Sequence, residues 1–297
     1  MHPARASATA LLIARAMLLA DRDPRLHVLV SPGAATALAA LPGVVRAWFN
    51  LVSHHRPGRA VLGALERLVL PAIVAHYLAR KRWIEATVRA ALDRGVHQVV
   101  VLGAGYDPLT GRLHRERPDV RFFELDHPAT QAPKARTLGP AAGVSCLPID
   151  LAVESPAATL RACPAFSTGE PTLFLAEGLL MYLPEARVAA LLRELVTLTT
   201  PPAGVLFTCM ARAADGAISF HGEHAAIGWW LRWRHEPFQW GIAAAELPGF
   251  LQACGLHVLA VADHDTLRAD MLAPRGLAGL SLTRGEYLCH CATLPAP

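Results

Sequence analysis

The chain has 297 residues, 53% of them hydrophobic, with a formal net charge of +4 and six cysteines. That length suits one large domain, or one domain with a cap, and the apolar share is enough for a sizeable core. Arginines are scattered and no Lys/Arg run longer than Arg80-Lys81-Arg82 forms, so no nucleic-acid partner is expected. There is no CxxC pair either, so no metal site is expected and the thiols are read as free in a reducing cytoplasm.

The first stretch, ASATALLIARAMLLAD at residues 6–21, is interrupted by Arg15 and followed by charged residues. Its apolar run is much shorter than the ~20 residues a membrane span needs, so it reads as an amphipathic helix of a protein that does not enter a membrane. Residues 7–95 read as helical, with Ser7 or Thr9 as a cap and Pro24, Pro32-Gly33, Pro42-Gly43 and Pro57-Gly58 as punctuation. Gly58 to Leu92 is a long helical pattern broken at Pro71. The expected organisation is a helical cap over 1–95 and a main domain over 96–297. Trp48-Phe49 and His54-His55 fall in the cap, either packed or at a pocket mouth. Arg80 is either solvent-exposed with its stem on apolar surface or a fork aimed at a carboxylate.

The centre of the chain is His97 to Asp126. The β-branched run Val99-Val100-Val101-Leu102 ends in Gly103-Ala104-Gly105; a polar helical segment and a second strand, Val120 to Phe123, then close in Glu124-Leu125-Asp126. Glycine lets the backbone approach a ligand with no Cβ in the way, and an acid at the next strand end can accept from a ribose diol. Gly105 and Asp126 are 21 residues apart, close to the ~20 of a nucleoside-binding βαβ unit. Nicotinamide and flavin sites want a third glycine where this chain has Pro108. The pattern therefore leans to S-adenosylmethionine, which carries no phosphate, and away from a nicotinamide-dependent oxidoreductase.

Further along, the segments alternate as in an α/β sheet. Helices are expected at His127–Leu138, Val153–Cys163, Pro184–Thr199 and Ala243–Cys254. Strands are expected at Val144–Ile149, Thr172–Ala176, Gly204–Cys209, Leu256–Val261 and Gly285–Thr293, seven in all. Residues 211–242 break the rhythm with His221, His224 and the tryptophans Trp229, Trp230, Trp233 and Trp240, and read as a lid insert or as packed helix. Asp126, Asp150 and Glu177 each close an expected strand, which places three acids at one sheet edge. Asp150-Leu151 suits an adenine: the carboxylate accepts from the exocyclic amine and the Leu covers the ring.

The motifs VVVLGAGYDPLTGRL, FELDHP followed by Lys134, PIDL and AEGLLMYLP together resemble the leucine carboxyl methyltransferase family and its bacterial O-methyltransferase branch over roughly residues 77–210. The resemblance implies an α/β fold with a seven-stranded, mostly parallel Rossmann-like sheet and S-adenosylmethionine as cofactor. It implies Arg80 on the methionine carboxylate, Gly103 and Gly105 under the methionine, Asp126 on the ribose, Asp150 and Leu151 on the adenine, and Glu177 near the amino group. The expected reaction is methyl transfer to a carboxylate or hydroxyl of a small-molecule acceptor, a natural-product intermediate. Tyr182 is the candidate to orient the acceptor and His221 or His224 the candidate base, while Arg212 or Arg232 could hold an acidic substrate. The alternatives are methylation of a protein C-terminal carboxylate and a non-catalytic binding subunit of the same fold. The oligomeric state is left open.

Overall fold

A computed structural model describes residues 8–38, 55–138, 143–199 and 203–293. Trp48, Phe49 and His54 lie outside the described residues. Among the described residues the chain begins with helices α1 (Ala8–Asp21), α2 (Ala34–Leu38), α3 (Arg56–Val69) and α4 (Ile73–Asp93). The expected break at Pro71 separates α3 from α4, with Ala72 taking a left-handed φ of 62°. The α/β core follows as β1 (Gln98–Leu102), α5 (Leu109–Glu116), β2 (Arg121–Asp126), α6 (Pro128–Leu138), β3 (Val144–Pro148), α7 (Pro156–Arg161), β4 (Thr172–Ala176), α8 (Glu185–Leu198) and β5 (Ala203–Ala211). The chain then runs through α9 (Ala225–Trp233), β6 (Gly241–Ile242), α10 (Leu247–Ala253), β7 (Leu256–Ala262), α11 (His264–Leu267) and β8 (Glu286–Thr293).

The sheet order is β3-β2-β1-β4-β5-β8-β7, with β6 pairing alongside β5. Seven strands run along that path as expected. The eighth, β6, is two residues long, too short to leave a period in the sequence. The helix expected at Val153–Cys163 is trimmed to α7: Pro156 cannot donate within a helix, and Ser155 Oγ caps the start by accepting from Ala158 N–H at 3.3 Å. The helix expected from Ala243 begins only at Leu247.

Strand periodicity divides the core between the two faces of the sheet. Val99, Val101, Phe122, Leu173 and Leu175 join one apolar cluster with Met17, Leu29, Leu78, Ile84 and Val88 of the N-terminal helices. Val100, Leu102, Phe123, Leu125 and Phe174 face Val188, Leu191, Leu192 and Leu195 of α8 in a second cluster. The N-terminal helices thus share their core with the sheet, and α4 is held in place over it. No described helix is long and apolar enough to cross a membrane.

Two features of this topology make a site. Strand order reverses between β1 and β4, both parallel to their neighbours, and such a reversal opens a crevice outside the carboxyl ends. The last strand, β8, runs antiparallel to β5, so Glu286 at its start sits opposite Met210 near the end of β5. An antiparallel strand thereby delivers its first residue to the same edge where the parallel strands deliver their last.

Candidate functional site

One cavity occupies the crevice, and Arg80, Gly103, Gly105, Asp126, Asp150, Leu151, Glu177 and Tyr182 all line it. His221 does not. It is exposed, outside the cavity wall, with its backbone N–H donated to the Arg284 carbonyl at 3.0 Å. His224 is also exposed and caps α9, accepting from Ala226 N–H through Nδ1 at 3.2 Å. Neither histidine lines the cavity, so the expectation of a base at either position is corrected. Arg212 is paired with Glu246 and Arg232 is exposed, and neither lines the cavity.

The glycine turn and the acid 21 residues beyond it are physically joined. Gly105 N–H donates to Asp126 Oδ2 at 2.7 Å, and His127 N–H donates to Oδ1 at 2.6 Å. Each carboxylate oxygen retains acceptor capacity beyond one bond. Burial pushes the Asp126 carboxyl above its ordinary range, against the pull of those two N–H groups. Gly103 and Gly105 have φ of 68° and 51°, the left-handed region that glycine enters without strain. A Cβ on Gly103 would meet Leu179 Cδ1 at 3.2 Å. Pro108 stands where a dinucleotide fingerprint would have its third glycine, immediately before the first residue of α5. Asp107 prepares that helix start, accepting from Leu109 N–H through Oδ1 at 3.0 Å.

Beneath the turn lies a buried ion network. Arg80, 2% exposed, donates from Nε to Glu177 Oε1 at 2.9 Å and from Nη1 to Glu286 Oε1 and Oε2 at 2.9 and 3.1 Å. Its Nη2 also lies 2.9 Å from Glu177 Oε1, and its guanidinium carbon sits 4.5 Å from the Tyr77 ring centroid. Glu286 Oε2 is 2.9 Å from His76 Nε2. Lys81 Nζ donates to Asp107 Oδ2 at 2.5 Å and to Glu177 Oε2 at 2.8 Å. Burial alone would raise the Glu286 carboxyl; Arg80 and His76 overcome it and hold the pKa at about 2. Arg80 is held above its ordinary value, since Glu286 and Glu177 outweigh the desolvation that opposes them. Lys134 Nζ ties the region from behind, donating to Glu124 Oε2 at 2.8 Å and to the Asp107 carbonyl at 2.9 Å.

Sequence reasoning missed Lys81, Glu286 and the segment His235–Gln239, all of which line the cavity. Lys81 is adjacent to Arg80 and shares its exposed-helix disguise. Glu286 carried one available signal, an acid opening the otherwise apolar strand EYLCHCAT. The insert reaches the cavity with Phe220 and with residues 235–239, whereas Trp229 and Trp233 stack on each other at the surface, 62% and 61% exposed.

The profile described as leucine carboxyl methyltransferase matches residues 8–196. A proposed S-adenosyl-L-methionine-dependent methyltransferase of Mycolicibacterium gilvum (strain PYR-GCK) is 34% identical over 233 residues, covering 74% of this chain and 69% of that protein. One of the same description from Mycobacterium avium (strain 104) is 30% identical over 224 residues, covering 73% and 69%. Among solved structures, an O-methyltransferase family protein from Burkholderia thailandensis aligns with a TM-score of 0.46 at 13% identity, over 83% of this chain and 62% of that one.

Proposed function

Since this chain belongs to the leucine carboxyl methyltransferase family, we propose that it is an S-adenosylmethionine-dependent O-methyltransferase whose acceptor is a small molecule. The observation that carries the proposal is the shared cavity: three strand-end acids, the glycine turn and Arg80 line one hollow at the point where strand order reverses. The residues present fit the donor. The left-handed glycines leave room where a Cβ would crowd Leu179. The acids suit a ligand carrying a sulfonium and an ammonium, and Leu151 offers an apolar face for a base.

In this reading Gly103 and Gly105 pass under the methionine, and Asp126 accepts from the ribose hydroxyls while still holding the turn. Asp150 and Leu151 take the adenine. Glu177 meets the amino group, and Arg80 gives the methionine carboxylate the N–H donors that Glu177 and Glu286 leave over. When bound, the donor supplies an electrophilic methyl group on sulfur. The protein's task is then alignment and exclusion of water, which can lower the barrier by several kcal/mol. Tyr182 lines the same cavity and orients the acceptor. Helices α1, α2 and α4 and the insert, through Phe220 and residues 235–239, then close the cavity around the acceptor.

Isothermal titration with S-adenosylhomocysteine and with NAD tests the proposal. Binding of the first without the second is expected. NAD binding alone would return the oxidoreductase reading, and S-adenosylhomocysteine binding without turnover on any small-molecule or C-terminal peptide acceptor would leave a binding subunit. Turnover of the peptide alone would make the acceptor a protein.

A further inference from the structure

A guanidinium has five N–H donors, and the network around Arg80 divides them unevenly. Nε donates to Glu177 Oε1 at 2.9 Å, and Nη2 lies 2.9 Å from that same oxygen. Nη1 donates to both oxygens of Glu286, at 2.9 and 3.1 Å. The two N–H groups of Nη2 therefore meet one carboxylate oxygen between them. Nη2 is also the atom nearest an added Cβ on Gly178, 3.9 Å away, and Gly178 and Arg80 both line the cavity.

Carboxylates favour arginine side-on, with two parallel N–H···O bonds across two nitrogens of the fork. Glu286 in that arrangement would span Nη1 and Nη2. It meets Nη1 alone instead, and His76 is what holds it there, with Nε2 2.9 Å from Glu286 Oε2. Glu177 is divided in the same way: Oε1 faces Arg80 while Oε2 accepts from Lys81 Nζ at 2.8 Å.

His76 is set for this one contact. It lies one helical turn before Arg80 on α4 and is fully buried. Its ring stands 6.2 Å from Tyr77, tilted, and 6.2 Å from Phe220, edge to face. Its Nδ1 is buried and has no hydrogen-bond partner among the described residues. An unpaired ring nitrogen in such a place is costly, and an apolar ring would fill the same space without that cost. An imidazole kept here is kept for what Nε2 does.

We propose that His76 is a positioning residue for the methyl donor: by holding one oxygen of Glu286 it keeps that carboxylate on Nη1 and leaves Nη2 open to the carboxylate of the donor's methionine moiety. This rests on the methyl-transfer reading above and adds to it the group that decides how Arg80 is shared between protein and ligand. Without His76, Glu286 turns side-on across Nη1 and Nη2, and the protein's own anion takes the place of the donor's. The loss then falls on the ligand's carboxylate and spares its adenine, ribose and amino group.

Isothermal titration of two variants tests this with two ligands. One ligand is S-adenosylhomocysteine. The other is 5′-(3-aminopropylthio)-5′-deoxyadenosine, which keeps the amino group and lacks only the carboxylate. In His76→Gln an amide nitrogen can stand near the position of Nε2, whereas the side chain of His76→Asn is one methylene too short. The Asn variant is expected to lose at least fivefold in S-adenosylhomocysteine affinity and to bind the decarboxylated ligand within twofold of the parent. The Gln variant is expected to bind both within twofold of the parent. His76→Leu takes the place of the Asn variant if that one does not fold, with the same expectation. Undiminished S-adenosylhomocysteine affinity without the imidazole, equal losses for both ligands, or a Gln variant no better than Asn would overturn the proposal. Failure of the parent protein to bind S-adenosylhomocysteine would instead sink the methyl-donor reading beneath it.

Discussion

Replacing Arg80 with lysine keeps the charge and removes the fork. The guanidinium meets Glu177 through Nε and Nη2 and Glu286 through Nη1, with Arg80 2% exposed and the Glu286 side chain fully buried. A single ammonium on a shorter reach can serve one of those carboxylates well, so the other loses its charged partner. Breaking a buried ion pair from one side costs about 3–5 kcal/mol, and with partial recovery by lysine we expect the lower end, about 3 kcal/mol. Unfolding entropy of about 2.1 cal/mol/K per residue gives the 297-residue chain roughly 0.6 kcal/mol/K, so the melting temperature should fall by about 5 °C. S-adenosylhomocysteine should bind more weakly by about 1.5–3 kcal/mol, the worth of a hydrogen bond to a charged group. 5′-Methylthioadenosine, which has no carboxylate, should bind the variant as it binds the parent. Calorimetric melting and isothermal titration supply both readings. An Arg80→Lys protein with unchanged melting and unchanged S-adenosylhomocysteine affinity would refute the reasoning, and equal losses for both ligands would show that Arg80 acts on the fold alone.

Asp126→Ala should weaken S-adenosylhomocysteine binding by about 1–3 kcal/mol through loss of charge-assisted hydrogen bonds; unchanged affinity in titration would remove the ribose assignment. Gly103→Ala forces a Cβ into the left-handed region and to within 3.2 Å of Leu179 Cδ1, so urea unfolding should show a loss of about 1–2 kcal/mol, and a neutral result would mean the turn relaxes freely. The Glu286 carboxyl, held at about 2 against an ordinary 4.5, predicts a specific acid dependence. A depressed carboxyl contributes its full stabilisation above pH 4.5 and loses it as pH falls toward 2, here about 3 kcal/mol. Urea midpoints between pH 6 and pH 3 should therefore drop less in Glu286→Gln than in the parent, and parallel curves would contradict the assignment.

Much of this site was legible because its parts are local. A strand, a glycine turn and an acid one βαβ unit later form a single covalent neighbourhood, and the bond from Gly105 N–H to Asp126 closes it. Strand-end acids are legible too, since parallel strands place their last residues along one edge whatever the helices between them do. The helix break at Pro71 and the alternation of Val99 to Leu102 between two faces follow from residue type alone. What escaped was either short or distant. Strand β6 is two residues long, and Glu286 is 206 positions from the arginine it binds. Of the insert's histidines, His221 and His224 were the candidates and His235 was overlooked, yet only His235 lines the cavity, because which way a loop turns is not written in its composition.

The network under the turn is better explained by position than by stability. Burying two cations and three carboxylates costs several kcal/mol of desolvation per ion, and apolar residues of the same shape are often as stabilising. Those charges do something apolar residues cannot: they fix the direction of a guanidinium. Arg80 comes from α4, Glu177 from the end of β4 and Glu286 from the start of β8, so the fork is held from three elements that share only the sheet edge. His76, fully buried, holds Glu286 in turn from one helical turn before Arg80. In the proposed reading, the donor's carboxylate, arriving beside Gly178, whose added Cβ would stand 3.9 Å from Arg80 Nη2, would meet donors already oriented. The orientation cost is then met during folding rather than at binding, which is what preorganisation means in energetic terms.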